Sequence, residues 1–435
     1  MLSILRHRVY RHLFAAQVIS LLGTGLATVA LSLMAFELAG DNAGTVLATA
    51  LTIKMLAYVF VSPLLAALFQ GRSRKPVLVL LDIIRALTAL SLPFLIEVWH
   101  IYVVIFVLQS SSAGFTPLFQ ATIPDVLPDE REYTKALSLS RLAYDMESLI
   151  SPMLAAALLL ITSWHGLFFG TMLGFVASAL LVLSVTLPKA QTSAANTWTD
   201  RLTKGGRIYL LTPRLRGLLL LSFTTALGGA MVFVNTVVLV QGNFALSGQQ
   251  TAFALAAFGF GSMLTALTLP TLLEKITERR VMLAGLGLMI VAQLSGTLIT
   301  GYVTLLMIWF VLGAGYSLVQ TPTSKVLVRS ASNADRPALF AAHFSLSHAG
   351  WMMAYPFAGW LLTVLDVNSA FLLLAGLSVI GLALASKLWP ENENSAISHR
   401  HDDLEAGHEH LEAFGYGEEH SHLYVIDSLH SKWPR

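Results

Sequence analysis

The sequence predicts an all-α membrane protein with twelve transmembrane helices, arranged as two pseudo-symmetric halves of six helices each. Of its 435 residues, 55% are hydrophobic and 12% are charged, whereas soluble domains carry roughly 25% charged residues. The mean hydropathy is +0.69, and apolar segments of the roughly 20 residues needed to cross a bilayer recur along the chain. The second half also repeats motifs of the first. These features argue against a soluble enzyme.

The twelve predicted spans follow one another through short connections, such as Asp41–Asn42 and Val98–His100, which makes them up-and-down neighbours. They lie at 13–37, 44–69, 77–97, 101–122, 135–161, 164–187, 216–241, 250–273, 280–300, 303–325, 338–364 and 367–389. The first span follows a basic N-terminus without a small-residue cleavage site, so we expect it to be retained.

This pattern divides the chain into four regions. Residues 1–187 form the N-terminal half, 188–215 a polar linker with a short surface helix, 216–390 the C-terminal half, and 391–435 a histidine-rich tail. Lys and Arg gather before span 1 and after spans 2, 4, 6, 8 and 10, and the opposite connections contain none. The positive-inside rule therefore predicts that both termini are cytoplasmic, at a bacterial-type inner membrane.

The two halves repeat around two connections. AALFQGRSRKPVL (66–78) aligns with PTLLEKITERRVM (270–282) at an offset of 204. PDEREYTKALSLSRL (128–142) aligns with NADRPALFAAHFSLS (333–347) at an offset of 205. Two repeated halves joined by a linker are typical of transporters built from parallel repeats.

With these repeats, the chain resembles the major facilitator superfamily. That family carries a Gly, an Asp-Arg pair and a basic cluster after span 2. This sequence has Ala66, Gln70 and Gly71 at the first positions and keeps the basic Arg74 and Lys75. LLDIIRAL and ATIPDVLPDEREYTKALSL further resemble the branch with siderophore exporters and macrolide-efflux proteins. LFAAQVISLLGTGLATVAL, together with the tail, resembles the nickel-resistance exporters of that branch.

The motif after span 2 acts as a cytoplasmic gate in this family, so the resemblance implies a gating role for both copies. The residues concerned are Arg74, Lys75, Glu274, Arg279 and Arg280. Asp82 and Arg85 share one face of span 3 near its cytoplasmic end, and we expect them to brace the gate.

Span 5 carries three charged residues at membrane depth, where a charge must be paired or hydrated. Asp145 follows Arg141 by four residues, so the two share a helix face. This pair is either a local neutralisation or part of the cargo site. Glu147 lies about 200° around the helix from Asp145. We therefore expect Glu147 to be the sharper candidate for transport or proton coupling.

Three further residues lie within predicted spans. Lys54 lies near the middle of span 2, and its burial requires a carboxylate, Glu147 or Asp145, or water. His343 and His348 lie on span 11, about 140° apart around the helix. Each histidine is either a packing residue or part of a transport pathway near the interface of the halves.

The tail after Pro390 contains three His-X-His pairs among acidic residues. The histidines are His399, His401, His408, His410, His420 and His422. Imidazole and carboxylate suit nickel, cobalt, zinc and copper, and the chain has no cysteine to compete. The alternative is a solvated tail whose histidines are incidental.

These observations favour a proton-coupled exporter that works by alternating access, with nickel or cobalt as the first cargo hypothesis. Export of an organic molecule, such as a siderophore, metal chelate or drug, is the alternative. A metal sensor on a transporter scaffold is a third possibility. We expect no bound cofactor beyond transported or tail-bound metal, no nucleic acid partner, and a monomer in the lipid bilayer that binds protons and a small cargo.

Overall fold

The computed structural model describes most of the chain. The described residues are 2–39, 43–188, 197–391, 397–400, 419–422, 424–427, 429–430 and 432–433. Twelve long helical segments follow one another within them, in the order that hydropathy predicts.

The N-terminal half contains spans 1 to 6. A short 3₁₀ turn, Leu2–Arg6, precedes the first helix. The spans are α1 (Arg8–Ala39), α2 with α3 (Ala43–Leu56 and Ser62–Phe69), α4 (Arg74–Ser91), α5 (Val98–Val126), α6 (Glu130–Leu158) and α7 (Trp164–Leu183). A π turn at Ala57–Val61 joins α2 to α3, so these two helices form a single span.

The linker contains α8 (Trp198–Leu211), the short helix predicted there. Spans 7 to 12 of the C-terminal half are α9 (Pro213–Val237), α10 (Gly248–Leu273), α11 (Glu278–Ser295), α12 with α13 (Tyr302–Gln320 and Thr323–Val328), α14 (Arg336–Val364) and α15 (Val367–Leu388). In the tail, β1 (Ile397–Arg400) pairs with β2 (Glu419–His422) in an antiparallel ladder.

Several helices begin earlier than hydropathy predicts. The apolar pattern places the start of span 5 at residue 135, whereas α6 begins at Glu130. Asp129 caps this helix, because its carboxylate accepts a hydrogen bond from the Glu132 N–H at 2.9 Å. Hydropathy marks only the segment inside the bilayer, and the helix continues beyond it into the polar region.

The two counterpart helices α6 and α14 differ from the other spans in polarity. Ten helices among the described residues are long and apolar enough to cross a membrane. α6 and α14 are not among these ten, although each has 29 residues. They are spans 5 and 11, which the sequence repeat relates to each other and which carry most of the polar candidates.

Most apolar core residues lie within one half or the other, and the halves meet along a few helices, where Ala121 of α5 joins the core of the C-terminal half. Across the interface, α6 contacts α10, while α14 contacts α3 and α5. The linker helix α8 packs against α14 and α3. Because the number of spans is even, α1 begins and α15 ends on the same side of the membrane. We call this side the terminal face.

Candidate functional site

A first charged bridge joins the halves at the terminal face. This bridge A runs from the start of α4 through the end of α5 to the start of α14. Arg74 pairs with one oxygen of Asp125 at 2.5 Å, and Arg336 pairs with the other at 2.8 Å. The side chains of Arg74 and Asp125 are 3% and 11% exposed. Asp125 therefore holds two guanidinium groups, one from each half, in a poorly solvated place.

A second charged bridge, bridge B, joins the start of α11, the end of span 10 and the start of α6. Lys325 contacts Glu278 and Glu130, each at 2.8 Å, and Arg329 contacts Glu278 at 2.8 Å. The Glu278 side chain is 8% exposed, whereas that of Glu130 is 71% exposed. The buried part of bridge B therefore lies within the C-terminal half, and its contact between halves lies at the surface.

A cavity of about 410 Å³ opens between the bridges at the terminal face. Both halves line it, with Asp125 and Arg336 from bridge A and Glu130, Lys325 and Arg329 from bridge B. The charged pairs that join the halves therefore form part of the lining of this cavity.

The structure places the predicted gating residues in different environments. Lys75 is half-buried at the start of α4, and Glu274 is exposed just after α10. Arg279 donates to the Trp389 and Ser386 carbonyls at 2.7 and 3.1 Å, so it ties α11 to α15. Within the described residues, Arg74 is the only one of these predicted residues in an ion pair of bridge A or bridge B.

Arg280 also lies apart from the bridges. It pairs with Glu391 at 2.7 Å on the surface, where the two side chains are 65% and 60% exposed. The hydrogen bond and the charge of Arg280 lower the pKa of Glu391. An exposed pair of this kind adds little stability.

Asp82 and Arg85 lie inside the N-terminal half. They form an ion pair, and the Ser178 hydroxyl donates to Asp82 at 2.8 Å. Arg85 donates to Ser20 at 3.3 Å and lies 3.9 Å from the Phe115 ring centre. This cluster joins α1, α4, α5 and α7, so it braces one half and does not reach the other.

At mid-depth, Arg141 and Asp145 form the ion pair that their spacing predicts. The pair also reaches the other half, because the Ser262 hydroxyl of α10 donates to Asp145 at 2.7 Å. Arg141 lies 4.9 Å from the ring centre of Tyr316 on α12. Asp145 is only 4% exposed. These contacts favour a structural role for the pair at the interface of α6 and α10.

Glu147 has a different environment, although it lies two residues further along α6. At 1.5 Å per residue, Glu147 lies roughly 26 Å from the start of α6, and Lys54 roughly 22 Å from the end of α3. Lys54 acts electrostatically on Glu147. No ion pair within 4 Å joins them among the residues that the structure describes. Glu147 therefore has a charged neighbour, Lys54, at similar depth but no ion-pair partner among the described residues.

The position of Glu147 is defined by close packing against α1. A Cβ added at Gly25 would lie 2.1 Å from the Ser151 Oγ and 3.0 Å from a Glu147 carboxylate oxygen. Only glycine therefore allows α1 to approach α6 this closely at the level of the carboxylate.

Tyr58 links Lys54 to the other half. The Lys54 ammonium lies 5.6 Å from the Tyr58 ring centre, and the Tyr58 hydroxyl donates to Gln109 at 3.0 Å. The Tyr58 ring contacts the imidazole of His348 at 4.8 Å and the ring of Phe344 at 4.9 Å between centres. His348 thus faces the central cluster from α14.

His343 lies elsewhere. Its Nδ1 is 2.9 Å from the hydroxyl of Tyr209 on the linker helix α8, and the two rings stack at 5.8 Å. The structure therefore separates His343 from His348, as their angular spacing on the helix suggests. His343 joins the linker to α14, which is the packing alternative for this residue.

Asp145, Glu147, His343 and His348, which the sequence offers as candidates for the cargo site or transport pathway, do not all meet at one place. Among the described residues, no three His, Asp or Glu side chains are placed to hold one metal ion. His343 faces the linker and Asp145 is engaged by Arg141 and Ser262. Glu147 and His348 remain near Lys54. Of the tail histidines, His401, His408 and His410 lie outside the described residues, and His399, His420 and His422 are described in the backbone of the ladder.

The C-terminal half contains a cluster of aromatic rings around Trp351. Phe233 on α9 and Tyr316 on α12 lie 6.0 and 6.3 Å from Trp351 on α14, between ring centres. Tyr355 lies 5.2 Å from Trp351, and Phe258 on α10 lies 5.4 Å from Tyr316. These rings pack against one another within the C-terminal half, and Tyr316 also lies beside Arg141 of α6.

Two halves of six helices, joined at the terminal face by charged bridges, form the architecture that the repeat predicts. The family model described as Major Facilitator Superfamily matches residues 13–236 and 218–409. The chain belongs to the Major Facilitator Superfamily. It is therefore a multi-pass membrane transporter, and this agrees with the resemblance seen in the sequence.

Relatives of this facilitator include exporters. It is 26% identical over 389 residues to "Uncharacterized MFS-type transporter YfiS" of Bacillus subtilis (strain 168), covering 85% of this chain and 91% of the relative. It is 26% identical over 182 residues to "Macrolide efflux protein A" of Streptococcus pyogenes, covering 41% of this chain and 44% of that protein.

Solved structures share the fold of this facilitator. The human organic anion transporter MFSD10 matches with a TM-score of 0.77 at 16% identity, covering 87% of this chain and 99% of that chain. The proton:xylose symporter XylE matches with a TM-score of 0.70 at 12% identity, covering 89% and 96%. At these identities, the likeness establishes the shared fold and leaves the cargo open.

Several functional residues were not singled out from the sequence. Asp125, Glu130 and Glu278 carry the bridges, and Tyr58 and Ser262 complete the mid-depth contacts. The acids lie at helix ends, where charged residues are common and carry no distinctive spacing. All three acids nevertheless lie in segments quoted above for the repeat and the family resemblance, Asp125 and Glu130 in ATIPDVLPDEREYTKALSL and Glu278 in PTLLEKITERRVM, and this was the available signal.

Proposed function

We propose that this protein is a secondary active exporter that exchanges an organic small molecule for protons through Glu147. The observation that carries the proposal is the contrast between two acids on α6. Asp145 is held by Arg141 and Ser262, whereas Glu147 has Lys54 as a neighbour without an ion pair within 4 Å among the described residues. A coupling carboxylate must gain and lose its proton in each cycle, so it cannot be held in a permanent ion pair.

Proton exchange follows from this placement. An ionised Glu147 is favoured by the nearby Lys54 and by a polar cargo group. A proton that enters from the opposite face neutralises Glu147, which weakens its hold on the cargo and favours release there. After the site reopens to the terminal face, Glu147 loses the proton and binds cargo again. Intramembrane carboxylates are common participants in such proton relays.

Two groups of side chains indicate the class of cargo. Lys54, Tyr58, Glu147 and His348 offer charged and hydrogen-bonding groups. The rings around Trp351, three residues beyond His348 on α14, offer apolar and stacking contacts. Sites with an apolar lining and a few polar groups suit organic ligands. We infer an amphipathic organic molecule with a polar head and an apolar or aromatic body.

In this proposal, bridges A and B form the gate at the terminal face. We place the terminal face in the cytoplasm of a bacterial cell, because the Lys and Arg residues gather in the connections on that face. In this conformation the bridges hold the cytoplasmic ends of the halves together. Alternating access then requires the bridges to open when cargo enters and to re-form before release.

Transport by purified protein in proteoliposomes tests the proposal. With an imposed pH gradient, the protein is expected to move one or more members of a panel of amphipathic organic compounds, macrolides included. The Glu147→Gln variant should lose gradient-driven transport by at least tenfold but retain cargo exchange at equal pH, because exchange needs no net proton movement.

The matched control is Asp145→Asn on the same helix. We expect this variant to be less stable, with its remaining folded protein still responding to the pH gradient. Gradient-driven transport that survives in Glu147→Gln would refute the coupling role. Flux of nickel or cobalt alone, with no organic cargo moved, would refute the cargo class.

Divalent metal export is the second candidate, and the three His-X-His pairs of the tail favour it. Its support within the membrane is weaker, because the described residues form no three-ligand metal group. The same proteoliposome panel, loaded with nickel or cobalt and compared with a chain lacking residues 391–435, separates the two candidates.

A further inference from the structure

The last described residues of the chain pack onto the C-terminal half at the terminal face. They are 424–427, 429–430 and 432–433, and we call them the cap. Ile426 is 1% exposed and Tyr424 is 7% exposed, and both belong to the apolar core of the C-terminal half. Burial of apolar side chains favours this position, because it removes their surface from water. The cap is therefore a docked part of the fold.

The cap is also held together by contacts of its own. The Tyr424 hydroxyl donates to the Lys432 carbonyl at 2.8 Å. The Tyr424 ring lies 4.5 Å from the His430 ring and 5.3 Å from the Trp433 ring, between centres. The Asp427 carboxylate accepts a hydrogen bond from the His430 backbone N–H at 2.7 Å and lies 2.9 Å from its imidazole Nδ1. These contacts give the cap a defined shape.

Arg214, at the start of α9, fastens the cap to the end of span 10. Its guanidinium donates to the Tyr424 carbonyl at 3.4 Å and lies 5.5 Å from the Trp433 ring centre. The same guanidinium donates to the Ser330 hydroxyl at 2.7 Å and to the Arg329 carbonyl at 3.1 Å. Arg214 is 3% exposed, and buried polar groups need hydrogen-bond partners. One side chain therefore joins the cap to the residues directly after α13.

The helix α13 carries contacts of span 10 with the N-terminal half. It is a helix of six residues, Thr323–Val328, that a turn separates from α12. Lys325 on this helix pairs with Glu130 in bridge B, and Val328 packs against the apolar core of the N-terminal half. Through Arg214, the cap thus holds the end of a short helix whose side chains join the halves.

We propose that the docked cap is a regulatory contact, which fixes α13 and thereby favours closure of the terminal face. This inference rests on the proposed function, because it takes bridge B as part of the gate. A contact shifts a conformational equilibrium only as far as its free energy differs between the two states. The cap supports α13 in the position where Lys325 and Val328 contact the N-terminal half. Release of the cap removes this support, so the terminal face opens more often.

Hydrogen exchange of the full-length protein in detergent, followed by mass spectrometry, tests docking and its link to α13. In the parent protein we expect slow exchange in the cap and in α13. The variant Ile426→Ala/Trp433→Ala should release the cap and speed exchange in both segments roughly tenfold, because the exchange rate follows local opening. Lys432→Ala is the matched control. Its side chain is exposed and its backbone carbonyl is kept, so we expect the parent rates in both segments.

Spin labels on the two halves measure closure itself. Arg131→Cys and Glu274→Cys are suitable positions, because both residues are exposed at the terminal face, one in each half, and the chain has no cysteine of its own. Electron–electron double resonance should give a larger share of long distances in the cap variant than in the parent protein or in Lys432→Ala. Neither measurement uses cargo or a pH gradient, so failure here is distinguishable from failure of the transport experiment.

Three results would overturn this regulatory role of the cap. The first is fast exchange in the cap of the parent protein, and the second is an unchanged cap in Ile426→Ala/Trp433→Ala. The third is a released cap with parent exchange in α13 or parent distances between the labels. Size-exclusion chromatography verifies folding. If the double variant does not fold, Trp433→Ala alone is measured in the same way, and a smaller change in the same direction is expected.

Discussion

Bridges A and B occupy equivalent positions in the two halves, but their charges are reversed. Bridge A joins the starts of spans 3 and 11 to the end of span 4, with the order Arg74, Asp125, Arg336. Bridge B joins the starts of spans 9 and 5 to the end of span 10, with the order Glu278, Lys325, Glu130. The repeat relates them, since Arg74 and Glu278 differ by the offset of 204.

The two bridges also differ in where their contact between halves is buried. In bridge A the contact between Asp125 and Arg336 has side chains that are 11% and 15% exposed. In bridge B the contact between Lys325 and Glu130 includes a side chain that is 71% exposed. Buried charge pairs are costly to break, whereas exposed pairs contribute little. Bridge A should therefore dominate closure, although both bridges look alike as a list of ion pairs.

The largest effect is expected from Asp125→Asn. The change leaves Arg74 and Arg336 without their shared acid, and breaking a buried pair costs about 3–5 kcal/mol. We expect a lower melting temperature and a gate that opens more often. The chain has no cysteine, so the rate at which a single Ala341→Cys reporter reacts with a maleimide measures opening. Ala341 is 1% exposed, so we expect a cysteine at this position not to react with maleimide while the halves are closed.

Asp125→Asn should raise the rate of reporter modification by at least tenfold. Asp129→Asn in the following turn is the control, because Asp129 caps α6 and takes no part in either bridge. An unchanged rate in Asp125→Asn would contradict the dominant role of bridge A.

A smaller effect is expected from Glu278→Gln. Glu278 holds Lys325 and Arg329 within the C-terminal half, but Lys325 retains Glu130 and Arg329 is 28% exposed. Leaving such groups partly unsatisfied costs about 1–3 kcal/mol. Thermal unfolding should reveal a loss of stability, while the reporter rate rises less than in Asp125→Asn. A larger rise than in Asp125→Asn would reverse the ranking of the bridges.

Glu130→Gln should have a weaker effect still. It removes the contact of bridge B between halves, yet the exposed position limits the cost to below about 1 kcal/mol. Because Glu278 still pairs with Lys325, no buried charge is left alone. We expect a rise of less than fivefold in the reporter rate, with the difference from the parent protein shrinking as salt is added. An effect as large as that of Asp125→Asn would show that side-chain exposure does not predict how much each ion pair contributes to closure.

The smallest effect is expected from Arg280→Gln. The family resemblance assigns this residue to the gate, but its partner Glu391, the first residue of the tail, lies on the surface. The reporter rate and the melting temperature should both match those of the parent protein. A measurable rise in the reporter rate would restore Arg280 to the gate and would extend bridge B beyond the residues named above.

Local features of the site were predictable from the sequence. The pairing of Arg141 with Asp145 follows from a spacing of four residues on one helix. The same is true of the angular separation of His343 and His348, which now face α8 and Tyr58 respectively. The identity of these partners was not predictable, because it depends on how distant helices pack.

The sequence by itself determined the class of the protein, the order of its spans, the repeat and the linker helix. Each of these depends on hydropathy and periodicity within one segment or on the alignment of two segments. The bilayer imposes this local signal, since every span must bury its backbone polar groups in hydrogen bonds of its own.

Only the tertiary structure decided which charged residues join the halves at the terminal face and which acid on α6 has no ion pair among the described residues. Asp125 and Arg336 are 211 residues apart in the chain, and a pairing at that distance has no local signature. The same packing engages Asp145 through Ser262, 117 residues away, and leaves Glu147 beside Gly25 and near Lys54. The sequence shows the charge of each residue. Which residue it pairs with depends on which helix packs against its own helix.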